Sequence, residues 1–158
     1  LPLFARIERL AFDNNTLGVR QRIVRFFGTT DLSRLRSLSL RNNRLWAEGL
    51  EELGRMPVTA QLRRLDLSGN PFADAGAEVL AGSEGFANLR HLVVRNDEQQ
   101  YADSIHAVGA TAIARSRTLA KLRTLDLAGH FVGDGGLIDL AESENLANVV
   151  VLDLSAND

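Results

Sequence analysis

The sequence contains no cysteine in 158 residues. That excludes a disulfide framework, a thiolate metal site and a cysteine nucleophile, and it fits a reducing compartment such as the cytoplasm. An excess of one charge is also missing. Lys and Arg number 18 against 20 Asp and Glu, a net charge of −2, so no overall field draws the chain to nucleic acid or to an anionic membrane. No apolar run approaches the ~20 residues of a membrane span. The start, Leu1-Pro2-Leu3-Phe4, lacks the charged-then-apolar layout of a signal peptide. The three histidines, His91, His106 and His130, do not have metal-ligand spacing. Gly133-Asp134-Gly135-Gly136 has the glycines of a phosphate loop without its Lys and Ser/Thr. Neither a metal nor another cofactor is expected. The first residue is not Met, which suggests a segment of a longer protein.

What the chain does have is one skeleton repeated six times: apolar, two variable, apolar, one variable, apolar, two variable, then usually Asn. It reads Ile7-Leu10-Phe12-Asn15, Leu35-Leu38-Leu40-Asn43, Leu62-Leu65-Leu67-Asn70, Leu89-Leu92-Val94-Asp97, Leu122-Leu125-Leu127-His130 and Val149-Leu152-Leu154-Asn157. Two residues further on stand Leu17, Leu45, Phe72 and Val132. From Ile7 to Leu35, Leu62, Leu89, Leu122 and Val149 the steps are 28, 27, 27, 33 and 27 residues. That length leaves room for a helix after each short strand. Apolar residues at helical spacing follow: Leu50 with Leu53, Ala77 with Leu80, Leu137 with Leu140. Asp74 and Asp134 are placed to cap their own helices. Leu32, Phe86, Leu119 and Leu146 close the units.

The skeleton resembles the leucine-rich repeat, and the step length is similar to the ribonuclease-inhibitor-like class with long repeats. Glycines and acidic residues at the helix starts, as in Val132-Gly133-Asp134-Gly135-Gly136, look like the bacterial members. The resemblance implies an α/β solenoid, a curved horseshoe fragment with parallel strands on the concave face and helices on the convex face. Alternation along a strand points the Leu residues inward and their variable neighbours to the concavity. Asn15, Asn43, Asn70 and Asn157 then bond backbone groups exposed at the turns. The array is read as a single unit, residues 1–158, with repeats starting near 7, 35, 62, 89, 122 and 149. Phe4 aligns with the closing residues Phe86 and Leu146, and Leu152 and Leu154 have no helix of their own. Both ends therefore look truncated, with more repeats of the same chain expected beyond each.

Two repeats depart from the frame. The fourth carries Asp97 in the Asn slot and six extra residues within Glu98–Val108, where the single tyrosine, Tyr101, lies. A carboxylate accepts but cannot donate, so a looser turn is expected there. The fifth carries His130 in the Asn slot. Trp46, next to Leu45, is expected to pack at the strand-to-helix turn.

Function is sought in the variable columns. Directly after the first apolar residue come Glu8, Arg36, Arg63, Arg90, Arg123 and Val150, four arginines in register on adjacent strands. Arg64, His91, Asp66, Asp126 and Arg95 fall in the neighbouring columns. With Tyr101 of the Glu98–His106 loop, these residues are the candidate contacts for a protein partner, bound by electrostatic complementarity. Charges that only solubilise the sheet and pair across strands are the competing account. His91 near Asp66 and Asp126 supplies the raw material of general-base catalysis, but no Ser or Cys nucleophile accompanies it by motif. The chain is therefore expected to be a non-enzymatic interaction scaffold or sensor surface, without nucleic-acid or membrane partners. The alternative follows from proteins with similar long repeats that stimulate a bound GTPase through the concave rim.

Overall fold

The computed structural model describes residues 3–17, 20–96 and 101–157, the side chains of residues 20 and 21 excepted. Asp97 and the 98–100 part of the insertion lie outside the described residues. Six three-residue strands, β1 (Arg9–Ala11), β2 (Ser37–Ser39), β3 (Arg64–Asp66), β4 (His91–Val93), β5 (Thr124–Asp126) and β6 (Val151–Asp153), form one parallel sheet in chain order. Between them run α1 (Arg20–Thr29), α2 (Ala47–Gly54), α3 (Ala73–Gly82), α4 (Ala107–Ala114) and α5 (Gly133–Ala141). Each helix packs on the next, α1 through α5.

The register follows the skeleton without a slip. Leu10, Leu38, Leu65, Leu92, Leu125 and Leu152 pair in sequence across the sheet. Their inward direction puts the four central ones out of contact with solvent, whereas Leu152 on β6 is 44% exposed. The closing residues Leu32, Phe86, Leu119 and Leu146 and the post-turn residues Leu17, Leu45, Phe72 and Val132 are all buried in the same core. In the fourth repeat the post-turn slot falls to Ile105, also buried, so the chain is back in phase there.

The asparagine ladder works between repeats. Asn70 donates from Nδ2 to the Leu40 carbonyl (2.9 Å) and to its own Leu67 carbonyl (2.7 Å). Its Oδ1 accepts the N–H groups of Asn43 (2.9 Å) and Leu45 (3.0 Å). Asn43 donates in the same way to the Phe12 carbonyl (2.8 Å), and Asn157 to that of Leu127 (2.8 Å). Each amide thus ties down strand-end and turn groups of the unit before it, groups that would otherwise be buried unpaired. Asn15, in the first described repeat, bonds the Phe12 and Asp13 carbonyls of its own turn.

His130 continues the ladder. It is 3% exposed, and its Nδ1 lies 3.1 Å from the Ile105 N–H. Since that backbone group can only donate, Nδ1 is the acceptor and the ring proton sits on Nε2, which donates to the Val94 carbonyl at 2.6 Å. Val94 and Ile105 hold the slots that Leu40 and Leu45 hold against Asn70. A neutral imidazole therefore performs both duties of the amide.

Two local expectations are corrected. Asp74 does not cap its own helix: α3 begins after Phe72, with no side-chain cap. Its Oδ1 instead accepts the N–H groups of His106 (2.7 Å) and Gly109 (2.9 Å), capping α4 of the following unit. Asp134 lies in the first turn of α5, whose start at Val132 likewise has no side-chain cap. Trp46 precedes α2 and is 55% exposed, so it projects outward from the strand-to-helix turn it was expected to fill.

Candidate functional site

The arginine column is set by backbone bonds. The Arg36 N–H donates to the Glu8 carbonyl (2.8 Å), Arg63 to Arg36 (2.7 Å), Arg90 to Arg63 (2.8 Å), Arg123 to Arg90 (2.8 Å) and Val150 to Arg123 (2.9 Å). One such bond per strand spaces the four arginines ~4.8 Å apart at the backbone, along the edge where the strands begin. All four side chains are exposed. Arg36 reaches the Ser33 (3.3 Å) and Leu35 (2.9 Å) carbonyls, and Arg63 the Asn88 carbonyl (3.1 Å). Lys121, at the same margin, donates to Asn88 Oδ1 (2.7 Å).

Next along the strands, exposed Arg64 of β3 pairs in register with His91 of β4. Burial lowers the His91 pKa below its ordinary value, and the positive charges of Arg64, Arg90 and Arg123 lower it further. Its Nδ1 meets the Thr124 hydroxyl at 3.0 Å. Among the described residues no carboxylate forms an ion pair with Arg36, Arg63, Arg64, Arg90 or Arg123. Like charges in register repel; the one carboxylate of the column, Glu8 beside Arg36, lies 4.0 Å from the Arg34 guanidinium, so the row from Arg36 to Arg123 is a positive field without an ion-paired carboxylate.

The strand ends are different. Asp66 accepts the Ser68 N–H (3.1 Å) and hydroxyl (2.7 Å) and lies 3.7 Å from the Arg41 guanidinium. Asp126 accepts the Ala128 N–H (3.1 Å) and pairs with Arg95 at 3.2 Å. Asp153 stands 3.6 Å from the same guanidinium. Hydrogen bonds from the Ser155 hydroxyl and N–H, with Arg95 adding to them against burial, hold the Asp153 carboxyl below the usual range. These aspartates brace turns and neutralise Arg41 and Arg95, so cross-strand pairing accounts for Asp66, Arg95 and Asp126.

The sheet therefore gathers Arg36, Arg63, Arg64, Arg90, His91 and Arg123 into one basic margin. Asp66, Arg95 and Asp126 form a separate, compensated band. Tyr101 stands apart on a 3₁₀ turn, Tyr101–Asp103, beyond β4. It is 66% exposed, its ring 4.4 Å from His106 and 5.1 Å from Phe131 between centroids. Sequence reasoning missed Thr124 as the partner of His91 and Lys121 as a further cation at the margin. Lys121 was visible one residue before Leu122, where Arg34 stands before Leu35. His91 faces Thr124, and both candidate carboxylates are engaged elsewhere, so the general-base pair does not assemble. Among the described residues no group of three or more His, Cys, Asp or Glu is placed to hold a metal ion. None of their helices is long and apolar enough to cross a membrane.

A parallel sheet stacked in chain order with a helix between successive strands is an α/β repeat solenoid, its strands on the concave face. Family models agree on the unit. Those described as Leucine Rich repeat match residues 61–81 and 118–141, and one described as Leucine Rich Repeat matches residues 34–56. These three segments match leucine-rich repeats, units that generally serve as protein-interaction modules. No curated protein matches the chain.

Proposed function

We propose that this chain is a non-enzymatic protein-binding scaffold or sensor surface that docks its partner on the concave face. One observation carries the reading: the edge of the sheet presents an exposed row of four arginines, none of them ion-paired to a carboxylate among the described residues. The net charge of −2 makes the basic margin a local feature, which favours a protein over nucleic acid. The absence of cysteine supports a reducing, cytoplasmic setting.

The strand-plus-helix unit and the 27- and 28-residue steps support the ribonuclease-inhibitor-like class, with bacterial-type helix starts. On the same reading residues 1–158 are one array. Within that array Leu152 on β6 is 44% exposed, where Leu38, Leu65, Leu92 and Leu125 are sealed.

Photo-crosslinking tests the docking face. A crosslinkable residue at Ser37 or Thr124 on the strands is expected to trap a discrete protein that the same residue at Glu78 on α3, or at Glu142 just after α5, does not. Equal trapping from both faces, or from the helices alone, would reject concave docking. A trapped GTPase or other enzyme whose rate changes on binding would make the chain its regulator.

A further inference from the structure

We propose that the basic margin receives an acidic α-helix of the partner protein, laid across the strands with Asp or Glu recurring every three or four residues. The inference rests on the concave face being the docking surface and specifies what that surface reads.

Spacing decides between the possible acidic segments. The chain of N–H to carbonyl bonds from Arg36 through Arg123 fixes one cation per strand, a pitch of ~4.8 Å and a span of roughly 14 Å over four arginines. One helical turn advances 5.4 Å, so four acidic residues on one face of a helix span roughly 16 Å. An extended chain repeats the same face every ~6.7 Å and spans roughly 20 Å. The helix is out of step by about 2 Å at the end of the row, within the sweep of an arginine side chain; the extended segment is out by about 6 Å. Like-charged neighbours on a helix lie ~5–6 Å apart, which brings each carboxylate opposite its own guanidinium.

The surroundings agree with this occupant. The exposed cations from Arg36 to Arg123 repel one another in the free chain, and a bound acidic face removes that repulsion. The titration of His91, held down in part by Arg64, Arg90 and Arg123, reports the same field. The concave columns contain no Phe, Tyr or Trp on which nucleobases could stack. Beside the margin, Asp66, Asp126 and Asp153 are paired with Arg41 and Arg95, so the uncompensated positive charge is confined to a single row that a stripe of acidic residues on one helix face matches.

The probe is a fluorescent alanine-based peptide of roughly 20 residues with Glu at alternating three- and four-residue spacing. A permuted peptide of identical composition has Glu at every second residue. Both are titrated by anisotropy against the full chain and the R90E/R123E double variant, whose fold is checked by circular dichroism. The helical peptide is expected to bind about tenfold tighter than the permuted one, and to weaken at least about tenfold in the variant. It is also expected to weaken as salt rises from about 0.05 to about 0.3 M. If the charge reversals disturb folding, R63Q/R90Q provides the same comparison. Equal binding of the two peptides, no binding of the helical one, or wild-type affinity in a folded variant overturns the proposal. Crosslinking from Thr124 that persists under any of those results leaves concave docking standing, whereas its loss removes the docking face itself.

Discussion

The imidazole of His130 lies 2.6 Å from the Val94 carbonyl and accepts the Ile105 N–H on its other nitrogen. Both partners belong to the preceding repeat, so one neutral ring closes the seam between the irregular fourth unit and the regular fifth. Burial lowers its pKa below the ordinary 6.5, against an upward pull from the Val94 hydrogen bond. Of the charged groups facing it, His106 at the start of α4 lowers the value, and Asp126 on β5 and Asp74 on α3 raise it. Protonation would put a second N–H against that of Ile105.

Stability should therefore fall with acidity. A base whose folded pKa is depressed binds fewer protons folded than unfolded, between that depressed value and 6.5. In that window stability rises with pH and is lost as pH drops. Thermal unfolding followed from neutral pH to below 6 is expected to show a declining midpoint. His130→Asn should flatten the decline while keeping both backbone bonds. His130→Ala leaves the Val94 carbonyl and Ile105 N–H buried without partners and should cost roughly 2–4 kcal/mol at neutral pH. An unchanged acid profile in His130→Asn would assign the decline to other groups.

Asp74 caps the helix of the next unit, so its removal should loosen a region more than thirty residues away in sequence. Asp74→Ala is expected to cost about 1–2 kcal/mol in urea unfolding, and Asp74→Asn less, because an amide oxygen still accepts. Hydrogen exchange should accelerate at the His106 and Gly109 amides and not at the start of α3. Acceleration at α3 alone would return Asp74 to a cap of its own helix.

Gly129 occupies the position just before the Asn slot, where Asn14, Asn42, Gly69 and Ala156 also adopt left-handed backbone; its own φ is +80°. A side chain there meets the backbone carbonyl of Asn96 as well. Gly129→Ala should combine strain with collision and lose about 1–3 kcal/mol in chemical denaturation. Ala156, at φ +55°, indicates that left-handed strain alone is tolerated in this slot. A cost for Gly129→Ala near zero would mean the strands can separate at that turn.

Equivalent leucines should have unequal worth. Leu65→Ala removes a sealed side chain between two neighbouring strands and is expected to cost roughly 2–5 kcal/mol. Leu152→Ala, on the open edge of the sheet, should cost no more than about 1–2 kcal/mol, since its side chain is already half in water. Comparable losses would indicate that β6 is covered in solution.

The strands, their register and the sealed leucines were legible in the sequence because period-two alternation and a fixed repeat step act on every unit at once. The seams between units were less so. Asp74 looks like a cap for the helix it sits in, since sequence proximity suggests it; only stacking brings the His106 and Gly109 amides closer. His130 looks like a break in the ladder, because a ring and an amide differ in shape, although each offers one donor and one acceptor at the needed separation. Arg95 and Arg63 are alike as letters. The sheet places carboxylates beside the first and none beside the second, a distinction that needs cross-strand geometry.

The way the repeats hold one another makes the irregular unit removable in principle. Asn70 and His130 occupy the same slot and reach back to the same two groups of the preceding unit. With residues 89–121 excised, His130 would meet the Leu67 carbonyl and the Phe72 amide in place of Val94 and Ile105. Asp74 would face the first turn of α5 where α4 had been. The arginine row would shorten by one member without losing its beat. In an array joined this way each seam is closed by groups common to every unit, so a change in unit number alters the length of the cation row and not the way the repeats are held.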